Sequence, residues 1–236
     1  FDGPATDTIN EELFAVTVDS NKKDYDLVYA PGGIGEGSLS QNTVLTGVSK
    51  FIDGTFHPGT TTYLFVTKGQ LYSGDPADAT GGSFAKVDGP FANYGGTTFV
   101  EDAFGSGEDW LVVTSTKGDI AYTTDPSADP ITWTTSSGDD DRKYTDIAYV
   151  DFGAGFNGLV VGLDVTGTSA GGYYEVDDGL GTDRPDGDNY RAADISDASI
   201  HSFYVDTDND TLFALTYGGG LWSATYENGE PEWSWE

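Results

Sequence analysis

Four acidic residues follow the same two companions: Phe51-Ile52-Asp53, Phe99-Val100-Glu101, Tyr149-Val150-Asp151 and Tyr204-Val205-Asp206. If the strands carrying them are equivalent, the four carboxylates end those strands at one mouth of a shared channel. A ring of carboxylates from several units could bind a cation. It could also supply the acid and base pair of a glycoside hydrolase, with a separation that sets whether the reaction retains or inverts. The preferred reading is plainer: an acid at a strand end accepts hydrogen bonds from the backbone of its own turn. Repetition itself favours that reading, because catalysis needs carboxylates in unlike surroundings.

A second acidic pattern, Asp206, Asp208 and Asp210, begins like a calcium-binding EF-hand loop. Thr211 and Tyr217 then stand where that loop requires Gly and Glu, so the chain has no EF-hand here. A looser calcium site built from these three oxygens is the cofactor alternative; otherwise no cofactor is expected. The runs Asp139-Asp140-Asp141 and Asp177-Asp178, and the loop from Asp183 to Asp188, read as solvated loops.

Aromatic residues offer a third chemistry. Trp222, Trp233, Trp235, Tyr173 and Tyr190 fall on expected outer strands, and exposed rings there could stack on sugars. Packing between neighbouring sheets is the competing use of the same rings. The two histidines, His57 and His201, are too few for a three-ligand zinc site. No Gly-x-Ser-x-Gly turn is present, nor a phosphate loop or dinucleotide fingerprint. Arg142, Arg184 and Arg191 cluster in sequence rather than spreading over separate repeats, which argues against a sialidase-type arginine site.

The elements that must hold these groups repeat with a period of about 50 residues, the mark of one supersecondary unit reused along the chain. Each aromatic–branched–acid phrase is followed by a turn rich in Gly, Asp and Asn. A second apolar run comes next, with leucines at 13, 64, 111, 159 and 212. These runs are apolar on both faces and read as central strands buried between sheets. A glycine turn leads to a third strand centred on Tyr29, Tyr72, Tyr122, Tyr174 and Trp222. A polar loop then leads to a fourth carrying Phe84, Trp133, Tyr190 and Trp233. The expected fold is all-β: one five-bladed β-propeller of four-stranded antiparallel blades over residues 1–236. Blade limits fall near 1–47, 48–90, 91–138, 139–196 and 197–236, with residues 2–10 supplying the first inner strand. The alternative is a piece of a larger propeller ring.

Two hairpins carry a family likeness. Tyr122-Thr123-Thr124-Asp125-Pro126 leads to Thr132-Trp133, and Tyr72-Ser73-Gly74-Asp75-Pro76 leads to Ser83-Phe84. This resembles the Asp-box hairpin of the sialidase-like (BNR-type) propellers. The likeness covers two repeats of five, and the loop is longer here with its glycine displaced. The resemblance implies a structural role for the Asp, not an activity. The hydrolase alternative rests instead on analogy with five-bladed glycosidases that draw their acids from different blades.

Composition bounds the function. Forty acids against ten basic residues give a net charge of −30, which repels nucleic acid and anionic membrane. Hydrophobic residues make up 37% and aromatics 14%, enough for a sizeable core. Cysteine and methionine are absent, and the opening at Phe1 reads as a mature chain whose signal peptide was removed. No apolar run approaches the roughly 20 residues of a membrane helix. The expected protein is an exported, extracytoplasmic monomer from a bacterial or archaeal cell. It binds a glycan or another extracellular protein and catalyses nothing. The alternatives are the glycoside hydrolase and a structural envelope module with calcium-stabilised loops.

Overall fold

The computed structural model describes residues 13–18, 24–30, 42–75, 84–137, 142–153, 155–165, 171–176, 190–191, 195, 198–227 and 230–235. Over these residues the chain is all-β, with strands that form five sheets. The first sheet has β1 (Leu13–Val18), β2 (Tyr25–Ala30) and β3 (Asn42–Val48). The second has β4 (Phe51–His57), β5 (Thr62–Thr67), β6 (Leu71–Gly74) and β7 (Ala85–Val87). The third has β8 (Tyr94–Val100), β9 (Trp110–Ser115), β10 (Asp119–Thr123) and β11 (Thr134–Ser137). The fourth has β12 (Tyr144–Asp151), β13 (Asn157–Leu163), β14 (Tyr173–Val176) and β15 (Tyr190–Arg191). The fifth has β16 (Ile200–Asp206), β17 (Thr211–Thr216), β18 (Gly220–Glu227) and β19 (Glu230–Trp235). In every sheet the strands lie side by side in chain order, as a meander.

Local chemistry explains the strands. β9 reads Trp-Leu-Val-Val-Thr-Ser, a run of aromatic and branched side chains that fits a pleated, buried surface. Its turn into β10 needs a left-handed residue, and Gly118 supplies it at φ +87°. Ser115 then locks that turn: its hydroxyl donates to Asp119 Oδ2 and accepts from the backbone N–H groups of Lys117 and Asp119.

The chain divides into two compact units, Phe1–Tyr94 with Asp125–Thr132, and Gly95–Thr124 with Trp133–Glu236. In the first unit the first and second sheets share a core of Leu27, Tyr29, Val44, Tyr63, Phe65 and Phe84. Phe65 meets Phe84 and Phe51 edge-on, at centroid distances of 5.1 and 5.6 Å. In the second unit one core lies between the third and fourth sheets, around Val112, Tyr144, Leu159 and Tyr174. Another lies between the fourth and fifth, around Val160, Tyr173, Phe203 and Leu212.

The expectation of doubly buried second strands holds for β5 and β9 along their whole length, and for β13 beyond Asn157. It is corrected for β17. There Leu212, Ala214 and Thr216 are buried, Thr211 and Phe213 are half-buried and Leu215 is exposed, so among the described residues of the second unit one face of the fifth sheet is only partly covered. The expected inner strand at residues 2–10 lies outside the described residues.

Candidate functional site

The four repeated acids do not occupy one position. Asp151 ends β12 opposite Asn157, and Asp206 ends β16 opposite Thr211. Glu101 likewise follows the last residue of β8. Asp53 is instead the third residue of β4, beside a register shift, and pairs with Val66 near the far end of β5. The expectation that all four acids end equivalent strands is therefore corrected: Asp53 sits near the start of its strand. The residues of β4 that match the other strand ends are Phe56 and His57, paired with Tyr63 and Thr62.

Asp151 and Asp206 accept bonds from their own turns, and Asp53 accepts one from its neighbour within β4. Asp53 Oδ1 accepts from the N–H of Gly54 at 2.7 Å, and Asp151 Oδ1 from that of Gly153 at 3.0 Å. Asp206 accepts through Oδ1 from the backbone N–H of Asn209 at 3.2 Å and through Oδ2 from its side-chain amide at 2.8 Å. Glu101 and Asp151 do share a neighbourhood. The Tyr149 hydroxyl donates to Asn157 Oδ1 at 2.8 Å. Burial first, then the charges of Asp151, Asp102 and Glu101, push that hydroxyl above its ordinary pKa.

Asp206, Asp208 and Asp210 are not gathered around a point. Among the described residues no group of three or more His, Cys, Asp or Glu could hold a metal ion. Asp210 stands in the left-handed region at φ +48°, and Asp206 is engaged with Asn209. The calcium alternative therefore lacks a preformed site on these three residues. The runs 139–141 and 177–178, and the loop 183–188, lie outside the described residues.

The four aromatic candidates divide. Tyr173 is fully buried, which corrects its assignment to a ligand surface: both faces of β14 are covered. Its hydroxyl lies in a closed network. Tyr173 and Tyr226 both donate to Glu175 Oε1, at 3.2 and 2.8 Å, and Trp233 Nε1 donates to the Tyr173 hydroxyl at 3.3 Å. Trp222 and Trp233 are half-buried against the same core. Trp235 is open to solvent, at 69% exposure.

The partly covered face of the fifth sheet carries rings that sequence reasoning missed. Paired residues share a face, so Tyr204, Phe213, Ser223 and Ser234 form one row across it, with Leu215 and Leu221 in another. Tyr204 is 61% exposed, and its ring lies 6.1 Å from that of Phe213. Beyond the end of β17, Tyr217 is 79% exposed with its ring 5.9 Å from His201. The Ser223 and Ser234 hydroxyls bond each other at 3.2 Å beside this surface. Composition hid the face, since a strand apolar on both sides reads the same whether its second side is covered or bare.

The first unit holds a groove of about 450 Å³, beside β6, β7 and the segment 126–131. Its polar lining includes Ser73, Asp75, Lys86, Asp88, Ser127 and Asp129, and its apolar lining Val87, Pro126, Pro130 and Ile131. The segment beside it is fixed by Asp125, whose Oδ1 accepts from both the N–H and the hydroxyl of Ser127, at 3.1 and 2.7 Å. That bond from Ser127 holds the Asp125 carboxyl below the usual carboxylate range.

No protein-family model matches the chain, and no curated protein matches it. Among the described residues no helix is long and apolar enough to cross a membrane.

Proposed function

We propose that the five meanders are blades of a propeller-type repeat and that the protein is an exported, non-catalytic binding module for a glycan or a surface protein. The observation that carries this reading is the partly covered face of β16–β19. There Tyr204 and the half-buried Phe213 share a row with Ser223 and Ser234, and Tyr217 is exposed beyond the end of β17. Aromatic faces next to hydrogen-bonding rims suit the mixed apolar and polar surface of a sugar ring. An exposed apolar patch of this kind marks an interaction surface. Of the four acids, Asp151 and Asp206 accept bonds from their own turns.

A second reading has support from the same face. The neighbouring sheets of the second unit meet through their faces, so this one could receive a further sheet, as in a larger propeller ring. One pair of measurements separates the two. The double substitution Tyr204→Ser, Tyr217→Ser is compared with the unaltered chain on a glycan array and in a thermal melt. Loss of glycan signal at an unchanged melting temperature supports the platform. A glycan signal that the double substitution leaves intact removes the platform and leaves the seam. No glycan or surface-protein signal from the unaltered chain overturns the binding-module reading.

A further inference from the structure

We propose that the face of β16–β19 docks a basic protein, one whose apolar patch is edged by arginine or lysine. The inference rests on the binding-module reading above and narrows its partner from a glycan or surface protein to a positively charged polypeptide.

The face is ordered in rows, because paired residues share a face and side chains alternate along each strand. Leu215 and Leu221, both exposed, form the first row. Tyr204, Phe213, Ser223 and Ser234 form the second. Two residues further along each strand, Asp206, Thr211, Thr225 and Glu232 form the third. An acid thus stands at each end of that row, on the two outermost strands of the sheet. Asp208 and Asp210 are exposed in the turn that follows β16. The surface therefore grades from apolar to acidic across one sheet face.

Charge chooses the occupant. Between Ile200 and Trp235 the acids are Asp206, Asp208, Asp210, Glu227, Glu230 and Glu232, and no Lys or Arg is present. A second copy would bring the same acids and a net charge of −30 against them. An anionic glycan meets the same repulsion, and a neutral sugar leaves the charge of the row uncompensated. A guanidinium or ammonium gains twice: from the carboxylates, and from the exposed Tyr204 ring, over which it can lie. The tyrosine and leucine rows then cover the apolar side chains of the partner. Asp206 keeps its bonds from Asn209 and attracts at a distance, while the exposed Glu232 and Asp208 make the direct pairs.

The test is fluorescence anisotropy of labelled peptides that alternate arginine with leucine, arginine with serine, or glutamate with leucine. Tyr204→Ser, Tyr217→Ser removes exposed rings. Asp208→Asn, Glu232→Gln removes charge at the face, and Glu101→Gln, Glu108→Gln removes the same charge from exposed positions beside the third sheet. We expect the arginine–leucine peptide to bind, the arginine–serine peptide to bind about tenfold more weakly, and the glutamate–leucine peptide not to bind. The ring variant should weaken binding about tenfold and the face-charge variant about threefold, with little change for the distant charge pair. Should the ring variant melt below the unaltered chain, the two charge variants decide alone. Equal losses in those two, or arginine–serine binding as well as arginine–leucine, would mean attraction to net charge only and would overturn the docking surface. So would an arginine–leucine peptide that does not bind, or that binds a well-folded ring variant unchanged. A glycan-array signal that depends on Tyr204 and Tyr217, beside failed peptide binding, would leave the platform standing while this inference falls. Silence in both assays removes the platform as well.

Discussion

Asp146 in β12 accepts a hydrogen bond from the backbone N–H of Phe203 in β16 at 2.6 Å, a bond that joins two sheets of the second unit. Asp146 is 5% exposed, so the charge is desolvated and the N–H has little access to water. Hydrogen bonds to charged groups contribute about 1.5–3 kcal/mol, and a buried donor left alone incurs a desolvation penalty. Asp146→Ala should therefore lower the melting temperature by roughly 3–12 °C, at about 2–4 °C per kcal/mol for a chain of this size. Asp146→Asn, which keeps an acceptor oxygen, should lose less. Equal losses in thermal melts of the two variants would sink the argument.

Burial raises the pKa of Tyr94, Tyr173 and Tyr226, as it does that of Tyr149, above the ordinary value near 10. Tyr94 is pushed up to about 12, against a smaller opposing effect of its bond from Phe91. Tyr173 and Tyr226 go higher, through burial first. The charge of Glu175 adds for Tyr173, and Tyr173 and then Glu175 add for Tyr226. A phenol whose folded pKa is raised stabilises the fold fully below the unfolded pKa. As pH rises through about 10 the unfolded chain gives up protons that the folded chain keeps. Stability then falls by about 1.4 kcal/mol per pH unit for each such tyrosine. Urea unfolding between about pH 9 and 12 should show this loss, and Tyr226→Phe should make it shallower. A flat profile over that range contradicts the burial argument.

The legible part of the fold was the strand inventory. Leu64, Leu111, Leu159 and Leu212 are all fully buried on second strands, and Tyr29, Tyr72, Tyr122, Tyr174 and Trp222 all lie on the strands that follow. Register was less legible. Phe51-Ile52-Asp53 matches the other phrases in residue type but begins its strand instead of ending it. With side chains alternating every residue, three positions fit either end of a strand. Phe84 and Trp133, expected within fourth strands, lie immediately before β7 and β11. The partly covered face and the groove were not legible at all, because both depend on which neighbours cover a surface rather than on what the surface is made of.

A second close approach in the same unit explains why β8 begins Tyr-Gly-Gly where β12 begins Tyr-Thr-Asp. A Cβ on Gly95 would stand 2.5 Å from the backbone oxygen of Tyr144, and one on Gly96 would stand 2.9 Å from the Cα of Asp146. Backbone cannot move aside as a side-chain tip can, so the two sheets would have to separate. Gly96→Ala should cost about 1–3 kcal/mol, the usual range for overpacking. Gly105→Ala is the contrasting variant: nothing lies within 4 Å of its Cβ, and its strain comes only from φ +71°. Denaturant titration of both should show a larger change for Gly96→Ala. The opposite order would mean that β8 and β12 can part at little cost.

Calcium addition tests whether the acidic turn after β16 is a site or a self-contained cap. Both carboxylate oxygens of Asp206 already accept bonds from Asn209, and the three acids are not grouped as ligands. To bind calcium, Asp206 would have to break those bonds while the turn refolded around hard oxygen ligands at about 2.3–2.6 Å. Ligand binding to the folded state raises the melting temperature by mass action, so the comparison is direct. The chain and its Asp206→Asn, Asp208→Asn, Asp210→Asn variant are melted with calcium and with a chelator. We expect the same calcium response in both, and for Asp206→Ala alone a loss of about 0.5–2 kcal/mol, the range for removing a side-chain cap. A calcium-dependent rise present in the original chain and absent from the triple variant would show that this turn rearranges into a metal site.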